Sequence, residues 1–404
     1  MSEYKGIVYL RNKLSSKRSR VLLRYRYYDM KNTAQDLEIS SPPELRHWFS
    51  SLGWCAKGVD SLADRLVFRG FENDNFDLQQ IFDQNNPDIL TDSAILGALI
   101  SSCNFIYISP DAEGFPRMQV IDGGNATGII DPITNLLTEG YAVLERNDDD
   151  APVLEAYFTS EFTDYIDKVD GPRRVPHKVG HPLLVPIIYR PDAKRPFGRS
   201  RISRACMNYV QGAMRTLKRS EISAEFYSFP QKYVTNLSDD VEDLNVWKAA
   251  MSAMMMFTKD EDGEHPIPGQ FQQQSMAPHI EQLRMFASLF AGETGLTLDD
   301  LGFATGNPAS AEAIKAAHDN LRLTARKAQR TFGSGFLNAG FLAACLRDKY
   351  QYRREQLYLT TPEWEPIFEP DAAMLSGIGD GMIKLNQAVP NYIDEKKLRK
   401  LTGI

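Results

Sequence analysis

The 404 residues exceed what one hydrophobic core usually organises, so two or three folded units are expected. A content of 43% hydrophobic, 10% aromatic and 25% charged residues excludes a disordered chain. The formal charge of -7, from 46 basic and 53 acidic residues, disfavours a protein that grips nucleic acid tightly.

No run of about 18 apolar residues exists, and the longest candidate, Ala94 to Ile108, is interrupted by Ser101, Ser102 and Asn104, so it reads as core and not as a membrane span. The early cations Lys5, Arg11, Lys13, Lys17, Arg18 and Arg20 come without an apolar h-region or cleavage site, which predicts a protein retained in the cytosol of its producer. Cys55, Cys103, Cys206 and Cys345 form no CxxC pair and are expected to be reduced core thiols.

From the start of the chain, Leu10, Leu14, Val21 and Leu22 among many cations predict a basic amphipathic helix over Tyr4 to Tyr28. Its bland reading, a solvated helix face, is favoured over the sharper one, a patch for DNA or a membrane. Pro42-Pro43 marks a loop, and Leu45, Trp48, Phe49, Val59, Leu62 and Leu66 predict a buried helix that Gly70 ends. A helix from Ala94 is followed by short alternating runs between Phe105 and Phe158, which predict a meandering antiparallel sheet with hairpin tips at Asn147 to Asp150 and Asp167 to Arg174. Leu183 to Tyr189 is a last β-rich run, so the first 200 residues form one α+β unit.

After a loop from Arg190 to Ser200, Met207, Val210, Met214 and Leu217 begin a long helix; Leu283, Phe286, Leu289 and Phe290 give a second from Pro278. Between them Phe229 to Ala277 is an excursion with β-like Lys232 to Thr235 and the polar turn Lys259 to Glu264. Met251, Met254, Met255 and Met256 there suit an adaptable interface or a plain core. A third helix, with Leu321, Ala325, Ala328 and Phe332, is expected to start at Asn307 and Pro308. Gly333, Gly335 and Gly340 imply a bend or close packing in it. Leu357 to Phe368 reads as extended, and two short helices close the chain.

The search for chemistry finds no constellation. His177 and His181 are four apart, but Pro176 and Gly180 argue for a loop and not a metal-binding helix. Gly292, Gly295, Gly302 and Gly306 form no phosphate-binding pattern. The pairs Asp299-Asp300 and Asp239-Asp240 and the run Asp148 to Asp150 read as solvated turns. No GxSxG elbow or cysteine-nucleophile signature is present. Catalytic residues, metal ligands and cofactors are therefore expected to be none.

Three stretches carry a resemblance: Pro196-Phe197-Gly198-Arg199-Ser200-Arg201-Ile202-Ser203-Arg204 with Ala224 to Val234; Gly269-Gln270-Phe271 leading to Ser275 to His279; and Leu289 to Leu296 with Leu301-Gly302 and Asn307 to Ile314. In order and spacing they resemble the portal proteins of siphophages that infect actinobacteria, and weaker agreement covers nearly the whole chain. The resemblance implies an α+β portal fold: an α/β wing, a helical stem, a small α/β clip, a long wing helix and a short helical crown. It places the wing at 1–200, stem helices at 201–228 and 278–293, the clip at 229–277, the tunnel loop at 294–309, the wing helix and strand at 310–370, and the crown at 371–404. The family's C-terminal region is usually longer, so the crown is expected to be short.

The resemblance further implies a homododecamer at one capsid vertex, a channel for packaging and ejection of double-stranded DNA held only transiently and without sequence preference. A sliding duplex needs weak contacts, which an acidic wall supplies. Asp299, Asp300, Thr305 and Asn307 would approach DNA, and Lys315, Arg322 and Arg326 would contact DNA or a neighbouring subunit. Lys259, Asp260, Glu261 and Asp262 of the clip would face the terminase large subunit and later the head-completion adaptor. Capsid and scaffolding proteins are further expected partners, no membrane is involved, and the location is the virion, with the host cytoplasm during assembly. The competing readings are a soluble enzyme with an unrecognised site and another head adaptor.

Overall fold

Helix α1 (Gly6–Tyr28) forms where Leu10, Leu14 and Val21 recur at helical spacing, and all three are buried. It belongs to a computed structural model that describes residues 4–34, 50–228, 232–235, 267–270, 275–303, 316–368 and 372–402. The chain divides into a first unit, Met1–Asn32, Gly53–Met207 and Glu293–Ile404, and a second, Thr33–Leu52 and Asn208–Gly292.

In the first unit, α2 (Trp54–Ala63), β1 (Phe68–Glu72), α3 (Leu78–Asp83) and α4 (Pro87–Ser101) precede the strands. Helix α4 begins well before Ala94, with Pro87 at its first position, where a missing N–H costs nothing. Of the helix expected over Leu45 to Leu66, the described part is α2; Leu45, Trp48 and Phe49 lie outside the described residues, as does Pro42-Pro43.

Two sheets replace the single meander expected. Strands β2 (Cys103–Pro110) and β3 (Pro116–Ile121) join β9 (Leu184–Ile188) in a three-stranded antiparallel sheet of order β3-β2-β9. Between them in sequence, β4 (Ala126–Ile130), β5 (Leu137–Arg146), β6 (Pro152–Phe158), β7 (Phe162–Asp167) and β8 (Gly171–Pro176) form a five-stranded meander. All of β9 and most of β2 are buried, because α4 covers one side of this sheet and α7 (Asp319–Arg347) also packs on its strands. That is why these strands read as continuous apolar runs.

Helix α1 lies on the meander, where Leu10 and Leu14 pack with Tyr141, Val143 and Tyr157. Two glutamates sit beneath it. Glu139, 2% exposed, accepts the backbone N–H groups of Lys5 at 2.8 Å and Gly6 at 2.9 Å and the Tyr157 hydroxyl at 2.8 Å. A carboxylate at the positive end of the helix dipole thus serves as the cap that the Lys5 side chain does not provide. Glu155 accepts Arg11 Nε at 3.1 Å and the Tyr141 hydroxyl.

Helix α7 is continuous through Gly333, Gly335 and Gly340, and all three glycines meet close neighbours, as the close-packing reading of them expected. An added Cβ would lie 2.9 Å from Pro362 at Gly333, 2.8 Å from Ile187 at Gly335 and 3.0 Å from Leu78 at Gly340. The expected start at Asn307-Pro308 lies outside the described residues; the described helix is preceded by His318. The extended stretch after Leu357 narrows to β12 (Thr361–Trp364), which pairs antiparallel with β1. Phe68, Phe71, Phe82, Phe336 and Trp364 cluster around that ladder.

The second unit holds most of α5 (Arg204–Ser228) and α6 (Ala277–Thr294) and the antiparallel hairpin β10 (Lys232–Thr235) and β11 (Ile267–Gln270). The two helices run antiparallel: Gly212 faces the Phe286 ring, Thr216 Oγ1 lies 3.0 Å from Gln282 Oε1, and Ser223 Oγ lies 3.3 Å from His279 Nε2. At Gly212 a Cβ would stand 2.5 Å from that ring, so only glycine allows this approach. The short helices α8 (Ala372–Ala388) and α9 (Glu395–Thr402) close the chain. No helix of the described residues is long and apolar enough to cross a membrane.

Candidate functional site

The stretch after α6 is the first candidate. Gly295, at a φ of 71°, stops the helix in the left-handed conformation that glycine adopts freely. Asp299–Leu301 then forms a 3-10 turn, ended by Gly302 at a φ of 89°. Leu296 and Leu301 are buried, and Phe303 meets Trp54 edge to face at 6.4 Å. This segment is thereby fastened to the first unit. Gly292 is the third residue from the end of α6.

The two adjacent aspartates diverge. Asp299 is exposed. The Asp300 carboxylate accepts the Thr297 N–H at 2.8 Å and the Thr297 hydroxyl at 2.9 Å, and stands 3.1 Å from His318 Nε2. Thr297 Oγ1 in turn accepts the Asp300 N–H at 3.2 Å. Thr-x-x-Asp is capping-box spacing, the signal by which the sequence announces this turn. Burial pushes the Asp300 carboxyl up, but the Thr297 hydrogen bonds and His318 outweigh it and hold the group below its usual value.

A carboxyl so depressed stabilises the fold above its unfolded value of 3.8, and that contribution fades as pH falls through the lower folded value. Asp300→Asn is therefore expected to lose about 1 kcal/mol at neutral pH. In urea melts the gap between variant and parent should close as pH drops below about 4. A gap independent of pH would refute the assignment.

Along α7 the expected basic residues separate as well. Arg322 Nη2 lies 2.6 Å from the Asp319 carboxylate on the first turn, whereas Arg326 is exposed on the same helix with Lys327 and Arg330. Thr305, Asn307 and Lys315 lie outside the described residues, as do Lys259, Asp260, Glu261 and Asp262 and the methionine cluster.

Sequence reasoning missed one organising residue, although it sits in a quoted run. Arg201 is 8% exposed, and its guanidinium donates to Gly58 O at 2.8 Å and Thr294 O at 2.6 Å, while its backbone N–H donates to Leu99 O at 2.8 Å. It ties together α2, the end of α4 and the last residue of α6. Nothing in a run of alternating arginines and serines marks which arginine turns inward.

The remaining candidates stay dispersed. Burial lowers the pKa of both His177 and His181, and His181 packs edge to face on Phe341. Among the described residues no three His, Cys, Asp or Glu side chains gather as metal ligands. All four cysteines are buried, and burial pushes the Cys345 thiol up to about 11 and Cys103 up to about 12. These thiols are core.

No family model matches the chain. It is similar to the portal protein of Mycobacterium phage L5, 26% identical over 392 residues, which span 90% of this chain and 80% of the relative. The portal protein of Mycobacterium phage D29 is 25% identical over 396 residues with the same shares. Among solved structures, chains from the virion of a native gene transfer agent particle and from the neck of the native particle, computed with C12 symmetry, align at a TM-score of 0.48 and 13% identity. They cover 95% and 96% of this chain and 99% of their own. With nine-tenths of its length aligned to each, the chain is similar from end to end to the portal proteins of two Mycobacterium phages.

Proposed function

We propose that the chain is the subunit of a portal, the ring at one capsid vertex through which double-stranded DNA enters and leaves a phage head. The observation that carries this is the alignment with two phage portal proteins over 90% of the chain. The antiparallel helices α5 and α6, with a small β hairpin between them in sequence, support reading them as a stem and that hairpin as part of the clip. The clip would face the terminase large subunit and then the head-completion adaptor. The first unit would be the wing.

A conduit must hold its duplex weakly. Contacts that released many counterions would trap the DNA, and a chain of net charge -7 avoids this. In this reading Asp299, Thr305 and Asn307 approach the duplex, while Asp300, expected beside them, anchors the loop through Thr297 and His318. Arg326 would meet DNA or the next subunit, with no sequence read in either case.

Negative-stain imaging of the purified chain, combined with a mass measurement, tests the proposal. A high-order ring, twelve-fold by expectation, with an axial hole wide enough for duplex DNA is the expected result. A compact monomer or dimer at all concentrations would overturn it.

A further inference from the structure

Helix α1 carries basic residues on two flanks, and the fold treats the flanks differently. On one, Arg11 pairs with Glu155 at 2.5 Å and Arg18 with Asp150 at 2.7 Å, both carboxylates coming from the five-stranded meander and its hairpin turn. On the other, Lys13, Lys17, Arg20 and Arg24 recur at four-, three- and four-residue steps, which keeps them on one face. Among the described residues none of these four has a carboxylate partner.

Their surroundings make the imbalance larger. The Lys13 and Lys17 ammonium groups sit 4.9 and 5.5 Å from the centre of the same Phe197 ring, which holds them in place. Lys13 Nζ also donates to Gly128 O at 2.6 Å. Burial, with Lys17 and Lys5 nearby, lowers Lys13 to about 8. Burial, with Arg20 and Arg204, lowers Arg24, whose Nε is buried without a hydrogen-bond partner among the described residues. A fold that neutralises one flank and leaves the other cationic, ordered and partly desolvated has prepared a contact for an acidic surface.

The same unit carries a surface of the opposite kind. Asp64, Asp88 and Asp92 are exposed at the end of α2 and on α4, without a basic partner among the described residues. Burial, with Asp88 and Asp64, raises the pKa of Asp92. Between Asp88 and Asp92 stands Ile89, 74% exposed; beside Arg20 and Arg24 stands Leu23, 41% exposed. Each surface thus sets an exposed aliphatic side chain among charges of one sign, the layout of an interface core with a polar rim.

We propose that the Lys13–Lys17–Arg20–Arg24 face of α1, extended by Arg204, docks a second copy of this chain through that copy's carboxylates Asp64, Asp88 and Asp92. Two different patches on one body, complementary to each other, make a heterologous contact, and such contacts close into rings when the rotation between copies permits. Double-stranded DNA is the other polyanion to consider, but a chain of pI near 5.5 that bears its own complementary acidic patch favours the copy. The proposal rests on the ring reading given above.

The test uses the full chain and two exposed charge reversals. Arg20→Glu with Arg204→Glu inverts the basic face; Asp64→Lys with Asp92→Lys inverts the acidic one, and lysine at position 64 suits the negative end of α2. Native mass measurement against subunit concentration is expected to show that each double variant needs about tenfold more protein for half-assembly. Mixing the two sets of changes in one chain should restore assembly, and thermal melts of the unassembled chains should stay within a few degrees of the parent. If the parent forms rings and both variants do so equally well, the proposal falls. Loss without rescue in the combined variant also overturns it, as does normal assembly together with lost retention on duplex DNA at low salt, which would assign the face to DNA. A parent chain that forms no ring fails the portal reading itself, and is seen before any variant is made.

Discussion

Arg201→Met is expected to lower the stability of the protein by about 3 kcal/mol. Arg201 is buried with no carboxylate partner among the described residues; its charge is balanced by the carbonyls of Gly58 and Thr294. Thr294 is the last residue of α6, so the guanidinium sits at the negative end of a helix dipole. Methionine keeps much of the volume but removes both donors, leaving two carbonyls without them in a place poor in water. Arg201→Lys should fall in between, because an ammonium cannot span two acceptors in the planar fork of a guanidinium. Calorimetric melting of the three proteins checks the order. A methionine variant within about 1 kcal/mol of the parent would show that water replaces the guanidinium.

Gly198→Ala should be as damaging by a different route. Gly198 has a φ of 70°, and a Cβ there would stand 2.0 Å from the Tyr189 carbonyl oxygen and 2.8 Å from Ile188 Cγ2. The obstacle is backbone, and that oxygen already accepts the Arg199 N–H at 2.9 Å, so the loop cannot yield without breaking its own closure. Left-handed strain of about 1 kcal/mol and overpacking of about 2 kcal/mol give a loss near 3 kcal/mol. Gly114 is the control: its φ is 88°, but no atom of the described residues lies within 4 Å of a Cβ built there. Gly114→Ala should cost only the conformational part, about 1 kcal/mol. Equal effects at the two positions would mean that the close approach at Gly198 contributes nothing.

Both residues belong to the run Pro196 to Arg204, one of the three stretches that carry the resemblance to portal proteins, and their physical roles differ from anything the sequence could say. Periodicity located α1, α5 and α6, because each sets apolar residues at helical spacing over two turns or more. It merged two sheets into one because the meander is inserted between β2 and β9, and alternation carries no information about which strands pair. It missed β1 and α3, which are five and six residues long, too short for a period to show. The glycines of α7 were ambiguous for a related reason: glycine in a helical pattern marks either weakness or intimacy, and only the partners Pro362, Ile187 and Leu78 decide. At the candidate site the pair Asp299-Asp300 looked uniform in sequence. The Thr297 to Asp300 spacing, had it been weighed, separates the inward carboxylate from the outward one.

The three contact points on α7 also set an order of events during synthesis. Leu78 and Ile187 leave the ribosome long before Gly340 and Gly335 exist to receive them, and Pro362 arrives last of all. Until α7 is made, the β2–β9 sheet lacks a helix that packs on it, and β1 lacks its partner strand β12. The nascent first unit therefore waits about 150 residues, on the order of ten seconds at ordinary elongation rates, with apolar surface uncovered. Emergence of α7 and β12, rather than of the first half of the chain, is the moment at which this unit can close its core.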